Sequence, residues 1–217
     1  NLWAALPATD TIARIVPGGA ITEFTDPEVE VDNPSDITAG PDGNVWFTSF
    51  GNHRVGSITP SGDITTFVDG DDPLEDPGAI TAGPDGNLWV AHGPANIVAL
   101  LATVTTAGDV TDVPIPNDID RIGGLVTGPD GNVWFTSPAD DRIGRVTPAG
   151  VVTMFTDLEG EVDQPEEITA GPDGNLWFSS SANHRIGRVT PSGDITTFTD
   201  PTGDSDRPLG IAAAPGA

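Results

Sequence analysis

The chain has 217 residues, with 33 Asp and Glu against 8 basic residues, all of them Arg, and a formal net charge of −25. That balance excludes nucleic-acid binding and disfavours an anionic membrane surface, since both require basic groups. There is no Cys, which rules out disulfides, thiol chemistry and Cys-ligated zinc, and no apolar run is long enough for a transmembrane helix.

The chain opens on Asn1-Leu2-Trp3, and Asn-Leu/Val-Trp recurs at Asn44, Asn87, Asn132 and Asn175. A period of 40–50 residues built of strand-like pieces marks a β-propeller, one four-stranded blade per repeat. The predicted fold class is therefore all-β: a five-bladed β-propeller with four antiparallel strands per blade. The repeats are 1–43, 44–86, 87–131, 132–174 and 175–217. They are expected to form a single domain over 1–217, because one blade cannot bury its own faces.

In chain order, the first predicted strand is Leu2–Ala5, the second strand of a blade whose innermost strand is missing from its N-terminal side. The next repeat shows the full set. Asp36–Ala39 is small and apolar and predicts the innermost strand, where converging blades leave least room. Val45–Ser49 is aromatic, and Arg54–Thr59 and Asp63–Val68 are β-branched and alternating. Gly40-Pro41-Asp42-Gly43-Asn44 and Pro60-Ser61-Gly62-Asp63 supply the tight turns between them. No stretch has a 3.6-residue period, so essentially no helix is expected. The chain ends on Leu209-Gly210-Ile211-Ala212-Ala213, a fifth copy of the innermost pattern. Residues 209–213 are predicted to pair beside Leu2–Ala5 and close the first blade, giving a monomeric ring without an open strand edge.

Residues 37–48, Ile-Thr-Ala-Gly-Pro-Asp-Gly-Asn-Val-Trp-Phe-Thr, and 52–67, Asn-His-Arg-Val-Gly-Ser-Ile-Thr-Pro-Ser-Gly-Asp-Ile-Thr-Thr-Phe, resemble the repeat of streptogramin lyases, the virginiamycin B lyase-like family. Residues 168–198 match it again through Asn183-His184-Arg185-Ile186-Gly187-Arg188-Val189-Thr190. The wider resemblance is to NHL-repeat and gluconolactonase-like propellers. It implies a propeller, and an ester-opening elimination on a cyclic depsipeptide assisted by Mg²⁺ with nearby His and Glu. The resembled enzymes are seven-bladed, whereas this chain has five repeats.

Strand order sorts the loops onto two faces, and most acidic residues fall in the blade-to-blade loops on one of them. Such a face focuses cations, and hard divalent ions take carboxylate oxygens. Asp36 and Glu167 stand at matching positions just before an innermost strand. Asp36, Glu166 and Glu167 are thus the candidate ligands of a Mg or Ca ion at the channel mouth. All three His reach the same face. His53 and His184 share one slot in two repeats, which points to a turn role. His92 replaces a repeated Ser and breaks the pattern, so His92 with Glu167 is the candidate catalytic pair, imidazole being the group that titrates near neutrality. The five equivalent Trp predict packing between blades rather than a ligand site.

Three functions remain open from the sequence. The first is a scaffold that binds a small molecule or cation at the acidic mouth, and the second a Mg-dependent lyase or lactonase. The third is a five-site carbohydrate-binding lectin, which the unequal loops disfavour. Both a secreted and a cytoplasmic location are compatible with the composition.

Overall fold

The structure is a computed structural model that describes all residues except 29, 69–73, 95–98, 117, 158, 200–206 and 215–217. Its strands form five antiparallel sheets in which chain neighbours pair, four sheets of four strands and one of three, an all-β arrangement consistent with a five-bladed propeller. Sheet 1 holds β1 (Leu2–Leu6), β2 (Thr11–Ile15) and β3 (Ile21–Phe24). Sheet 2 holds β4 (Pro34–Ala39), β5 (Val45–Ser49), β6 (Arg54–Ile58) and β7 (Ile64–Phe67). Sheet 3 holds β8 (Ile80–Ala82), β9 (Leu88–His92), β10 (Leu100–Val104) and β11 (Val110–Val113). Sheet 4 holds β12 (Leu125–Thr127), β13 (Val133–Ser137), β14 (Arg142–Val146) and β15 (Val152–Thr156). Sheet 5 holds β16 (Pro165–Ala170), β17 (Leu176–Ser180), β18 (Arg185–Val189) and β19 (Ile195–Thr199).

Apart from shifts of one residue at the ends of other strands, two details differ from the sequence reading. The innermost strand of sheet 2 begins at Pro34 rather than Asp36, because a register shift between Pro34 and Ile37 lets Pro34 pair with Ser49 ahead of the regular ladder. Residues 209–213 form no strand, and sheet 1 has three. In the tail, Ser179 Oγ donates to Leu209 O at 2.9 Å, the counterpart of the bond that Thr48 makes to Gly78 O at 2.8 Å just ahead of β8. Among the described residues the sole helical element is a 3-10 turn at Phe50–Asn52, and no helix is long and apolar enough to cross a membrane.

The chain divides into two compact units, one formed by residues 1–82, 86–95 and 100–113 and the other by 83–85, 96–99 and 114–217. In the first unit, Ile12, Trp3 and Phe24 of sheet 1 pack on Phe47, Ile58 and Ile64 of sheet 2. One sheet on, Trp46 and Val55 pack on Ile80, Leu88 and Val90 of sheet 3. In the second unit, Trp134, Ile143 and Phe155 of sheet 4 pack on Leu176, Phe178 and Val189 of sheet 5. Each core thus lies between two successive sheets, as expected where the Trp of every repeat faces the next blade.

The Gly-Pro-Asp-Gly-Asn turn explains itself atom by atom. Asp42 Oδ1 accepts the indole N–H of Trp46 at 3.1 Å and the Asn44 N–H at 3.1 Å, while Asn44 Nδ2 donates to Oδ2 at 2.8 Å. Asp130 repeats these bonds with Trp134 and Asn132, and Asp173 with Trp177 and Asn175. Gly43 turns the chain at φ +83, and a Cβ on Gly40 would lie 2.2 Å from the Trp46 ring. The motif is a clamp that fixes the Trp rotamer and satisfies its one polar atom on burial.

Candidate functional site

Among the described residues, left-handed turns that follow a second strand hold Asp10, His53, Asp141 and His184, with φ of 54°, 59°, 54° and 60°. Each side chain accepts one backbone N–H from the residue 23 positions on. Asn33 N–H reaches Asp10 Oδ1 at 2.8 Å, and Gln164 N–H reaches Asp141 Oδ1 at 2.8 Å. Asp76 N–H reaches His53 Nδ1 at 3.0 Å, and Arg207 N–H reaches His184 Nδ1 at 3.0 Å. His and Asp are therefore interchangeable acceptors in one slot, tying a turn to the loop that leads into the next repeat. His53→Asn, which keeps a neutral acceptor beside the Asp76 carboxylate 3.6 Å from the ring, is expected to leave the melting temperature nearly unchanged. His53→Ala leaves the Asp76 N–H without this acceptor and is expected to cost about 1 kcal/mol. A thermal melt of the two variants side by side checks the slot.

His92 ends β9 on the face that carries Leu88 and Val90, and its side chain is 5% exposed. Its Nε2 lies 3.6 Å from Asp112 Oδ1 on β11. Comparison with sheet 2 shows what this pair replaces. There Arg54 bonds Glu30 Oε2 at 3.0 Å and Thr66 Oγ1 at 3.1 Å, and Thr66 donates to the same Glu30 oxygen at 2.5 Å. Where sheet 2 has Ser49, Arg54 and Thr66, sheet 3 has His92, Leu100 and Asp112. The basic side chain has moved from the third strand to the second, and a carboxylate has replaced the hydroxyl. The sequence carried this signal, because both residues depart from the repeat at once, but only His92 was singled out and Asp112 was missed.

The remaining candidates stand as follows. Asp36 is half-buried; its Oδ1 accepts Ile37 N–H at 2.8 Å and its Oδ2 accepts Ile80 N–H at 2.9 Å. Both carboxylate oxygens thus pin the innermost strands of sheets 2 and 3. Glu166 is ion-paired to Arg121 at 2.6 Å. The Glu167 N–H donates to Ser179 Oγ at 3.1 Å. Among the described residues no three His, Asp or Glu side chains are grouped closely enough to hold a metal ion. An acidic cleft of about 420 Å³ opens elsewhere in the second unit, lined by Asp157, Glu161, Asp194 and Thr197 among others. Glu161 is largely engaged there, with Arg185 at 2.7 Å and Thr197 at 2.5 Å.

Two groups of carboxylates pull stability in opposite directions with pH. Burial raises the pKa of Asp36, outweighing the N–H groups of Ile80 and Ile37 that lower it. Burial also acts upward on Asp42 and Asp130, but the bonds from their Trp and Asn partners prevail and hold both carboxyls below the ordinary 3.8. The Asp42 and Asp130 contribution is present above that value and is lost as pH falls through their lowered pKa values. Asp36 does the reverse: its ionisation weakens the fold at neutral pH, and the penalty is relieved as pH falls through its raised pKa. Melting temperature is expected to rise on mild acidification and to drop below about pH 3.8, with Asp42→Asn flattening the acid limb. A monotonic fall from neutrality would contradict this assignment.

The chain matches the profile of the Virginiamycin B lyase family over residues 1–216. A solved structure of catalytically inactive virginiamycin B lyase from Staphylococcus aureus with quinupristin is 32% identical; the match covers 97% of this chain and 70% of that one, with a TM-score of 0.84. A structure of streptogramin B lyase is 28% identical over 91% of this chain and 64% of that one, with a TM-score of 0.79. A gluconolactonase-like structure at 17% identity and a TM-score of 0.64 shares the fold. A search among curated proteins found no match.

Proposed function

The chain belongs to the virginiamycin B lyase family, and from that membership we propose that it is a propeller scaffold of the family, binding a small molecule or cation at its acidic loops without opening an ester. The observation that carries this reading is the shared acceptor slot: His53 and His184 do what Asp10 and Asp141 do. His92, the remaining His, is shielded beside Asp112. A general base must come within hydrogen-bond reach of the proton it removes, and a side chain 5% exposed is poorly placed for that.

In this reading the five repeats act as one domain. The 209–213 segment serves as the fourth, innermost strand of sheet 1, as its Ile-Ala-Ala pattern and its anchoring on Ser179 support. Cations are attracted by the acidic loops as a whole. Melting temperature is then expected to rise with salt as repulsion among the carboxylates is screened, with at most a small further rise for Mg²⁺ or Ca²⁺ over Na⁺ at equal ionic strength. A large excess effect of the divalent ions indicates an ordered ion, through the linkage of binding to stability.

The second reading is favoured by the 32% identity to the lyase crystallised with quinupristin. It makes His92 the base, Glu167 its partner, and Asp36, Glu166 and Glu167 the ligands of Mg²⁺ or Ca²⁺. The donors do not fit that role well, since Asp36 is taken by two N–H groups and Glu166 by Arg121. Incubation with quinupristin and Mg²⁺, followed by chromatography and fragment-ion analysis of the antibiotic, separates the readings, because ring opening by elimination leaves the mass unchanged. The scaffold predicts intact cyclic compound and unchanged spectra for His92→Ala. A linear product whose rate collapses in His92→Ala establishes the lyase.

A further inference from the structure

Gly-Pro-Asp-Gly-Asn occurs at 40–44, 83–87, 128–132 and 171–175, and an Asp-Gly bond can rearrange spontaneously. Glycine has no Cβ to shield its nitrogen, and that nitrogen can attack Cγ of the preceding Asp. A C–N bond forms, the amide gives up its proton, and one carboxyl oxygen leaves as water, closing a succinimide ring. Water then opens the ring at either carbonyl. One opening restores Asp. The other leaves isoaspartate, in which the main chain runs through Cβ and Cγ and is longer by one carbon. Water is the sole co-reactant, and the mass is unchanged overall.

The folded turn restrains both partners of this step. The Gly43 N–H, on the nitrogen that attacks, donates to Gly40 O at 3.3 Å, and the Gly40 N–H to Asn44 O at 2.8 Å closes the turn. Both oxygens of Asp42 are held by Trp46 and Asn44, so turning Cγ toward the Gly43 nitrogen breaks those bonds. At Asp130 the Gly131 N–H is held by Gly128 O at 3.1 Å, and at Asp173 the Gly174 N–H by Gly171 O at 3.2 Å. Burial raises the pKa of Asp42 and Asp130, but the bonds from Trp and Asn outweigh it. Both therefore stay ionised at neutral pH, and a carboxylate has no water to expel until it is protonated. The indole donors are themselves fixed. Trp46 and Trp134 are fully buried and stack on Phe67 and Phe155 at 5.2 and 5.3 Å.

We propose that Asp42, Asp130 and Asp173 are latent sites of succinimide formation, kept silent by the hydrogen bonds that the Trp and Asn of their own motif donate. Core packing and the chemical integrity of the turn are then coupled, because a Trp that leaves its place releases the Asp that precedes it by four residues. Isoaspartate in such a turn puts one more carbon into a hairpin closed by a single pair of main-chain bonds. The strands behind it no longer meet in register. Each modified turn is thus a lasting record that its own blade opened, in a fold whose parts open locally at different free energies.

The full chain is incubated at neutral pH, folded and in guanidinium chloride, and sampled over weeks. Trypsin puts the three sites in separate peptides, Asp42 in 15–54, Asp130 in 122–142 and Asp173 in 146–185. Chromatography separates the isoaspartate forms, and enzymatic methylation of isoaspartate with a labelled methyl donor counts them. All three sites are expected to rearrange in denaturant and to be slower in the folded chain by at least roughly tenfold, the factor for one hydrogen bond of about 1.4 kcal/mol to a charged group. Trp46→Phe keeps an aromatic ring against Phe67 and deletes the indole N–H. In that variant Asp42 is expected to rearrange roughly tenfold faster, with Asp130 and Asp173 of the same molecules at the wild-type rate. Trp134→Phe is expected to move the effect to Asp130. Asn44→Ala removes the Nδ2 donor without touching the core and is expected to speed Asp42 as well. Equal rates in folded and denatured wild type overturn the proposal. So does Trp46→Phe speeding no site, or all three alike, which would make the fold as a whole the guard.

Discussion

Trp134→Ala is expected to lower stability by about 3–5 kcal/mol, the range for removing a fully buried aromatic side chain. The indole is 0% exposed, stacks on Phe155 and lies in the core between sheets 4 and 5. Its N–H is satisfied by Asp130 at 3.0 Å, so the substitution also leaves that carboxylate with one bond fewer. Trp177→Ala is expected to cost clearly less. The residue has the same stack and the same Asp partner but is only half-buried. Denaturant melts of the two variants, followed by far-ultraviolet circular dichroism, give the comparison. Equal losses would show that the Trp residues act within their own sheets rather than between sheets.

The second large effect comes from adding one methyl group. Gly144 sits on β14 opposite Phe135 of β13, and a Cβ there would lie 2.0 Å from Phe135 Cζ. Phe135 is fully buried, so the ring cannot swing into solvent. Gly144→Ala is expected to cost about 1–3 kcal/mol through overpacking, and Gly144→Val more. The double variant Gly144→Ala, Phe135→Leu removes the clash and is expected to recover part of the loss. Denaturant midpoints of the single and double variants check it. No recovery would mean that the strand itself, and not the ring, resists the side chain.

The sheets were legible because the informative residues recur. Asn-Leu/Val-Trp set the repeat, Asp-Gly turns set the hairpins, and small residues set the innermost strands. The site was legible only in part. The loop slot of His53 reads as a turn from its repetition, and the structure adds that the imidazole is an acceptor equivalent to the carboxylates of Asp10 and Asp141. The carboxylates are less legible. In the sequence Asp36 and Glu167 are two acids before an innermost strand. In space both oxygens of Asp36 accept main-chain N–H groups, one of them from Ile80, 44 residues away. Charge alone does not distinguish a free ligand from a bonded strut, because the partner is backbone and leaves no residue type to find. Sheet 1 shows the same limit: 209–213 has the innermost composition, and composition alone does not fix the register of a strand pairing.

In the proposed scaffold, His92 and Asp36 serve packing rather than a metal-assisted reaction. A crystal grown with Mn²⁺ and measured at the manganese edge tests it most directly. The scaffold predicts Asp36 oxygens still bonded to the N–H groups of Ile37 and Ile80, His92 still beside Asp112, and no anomalous peak within about 10 Å of His92, beyond hydrogen-bond reach and one bridging water. A manganese peak coordinated by Asp36, Glu166 or Glu167 with His92 inside that distance would contradict it.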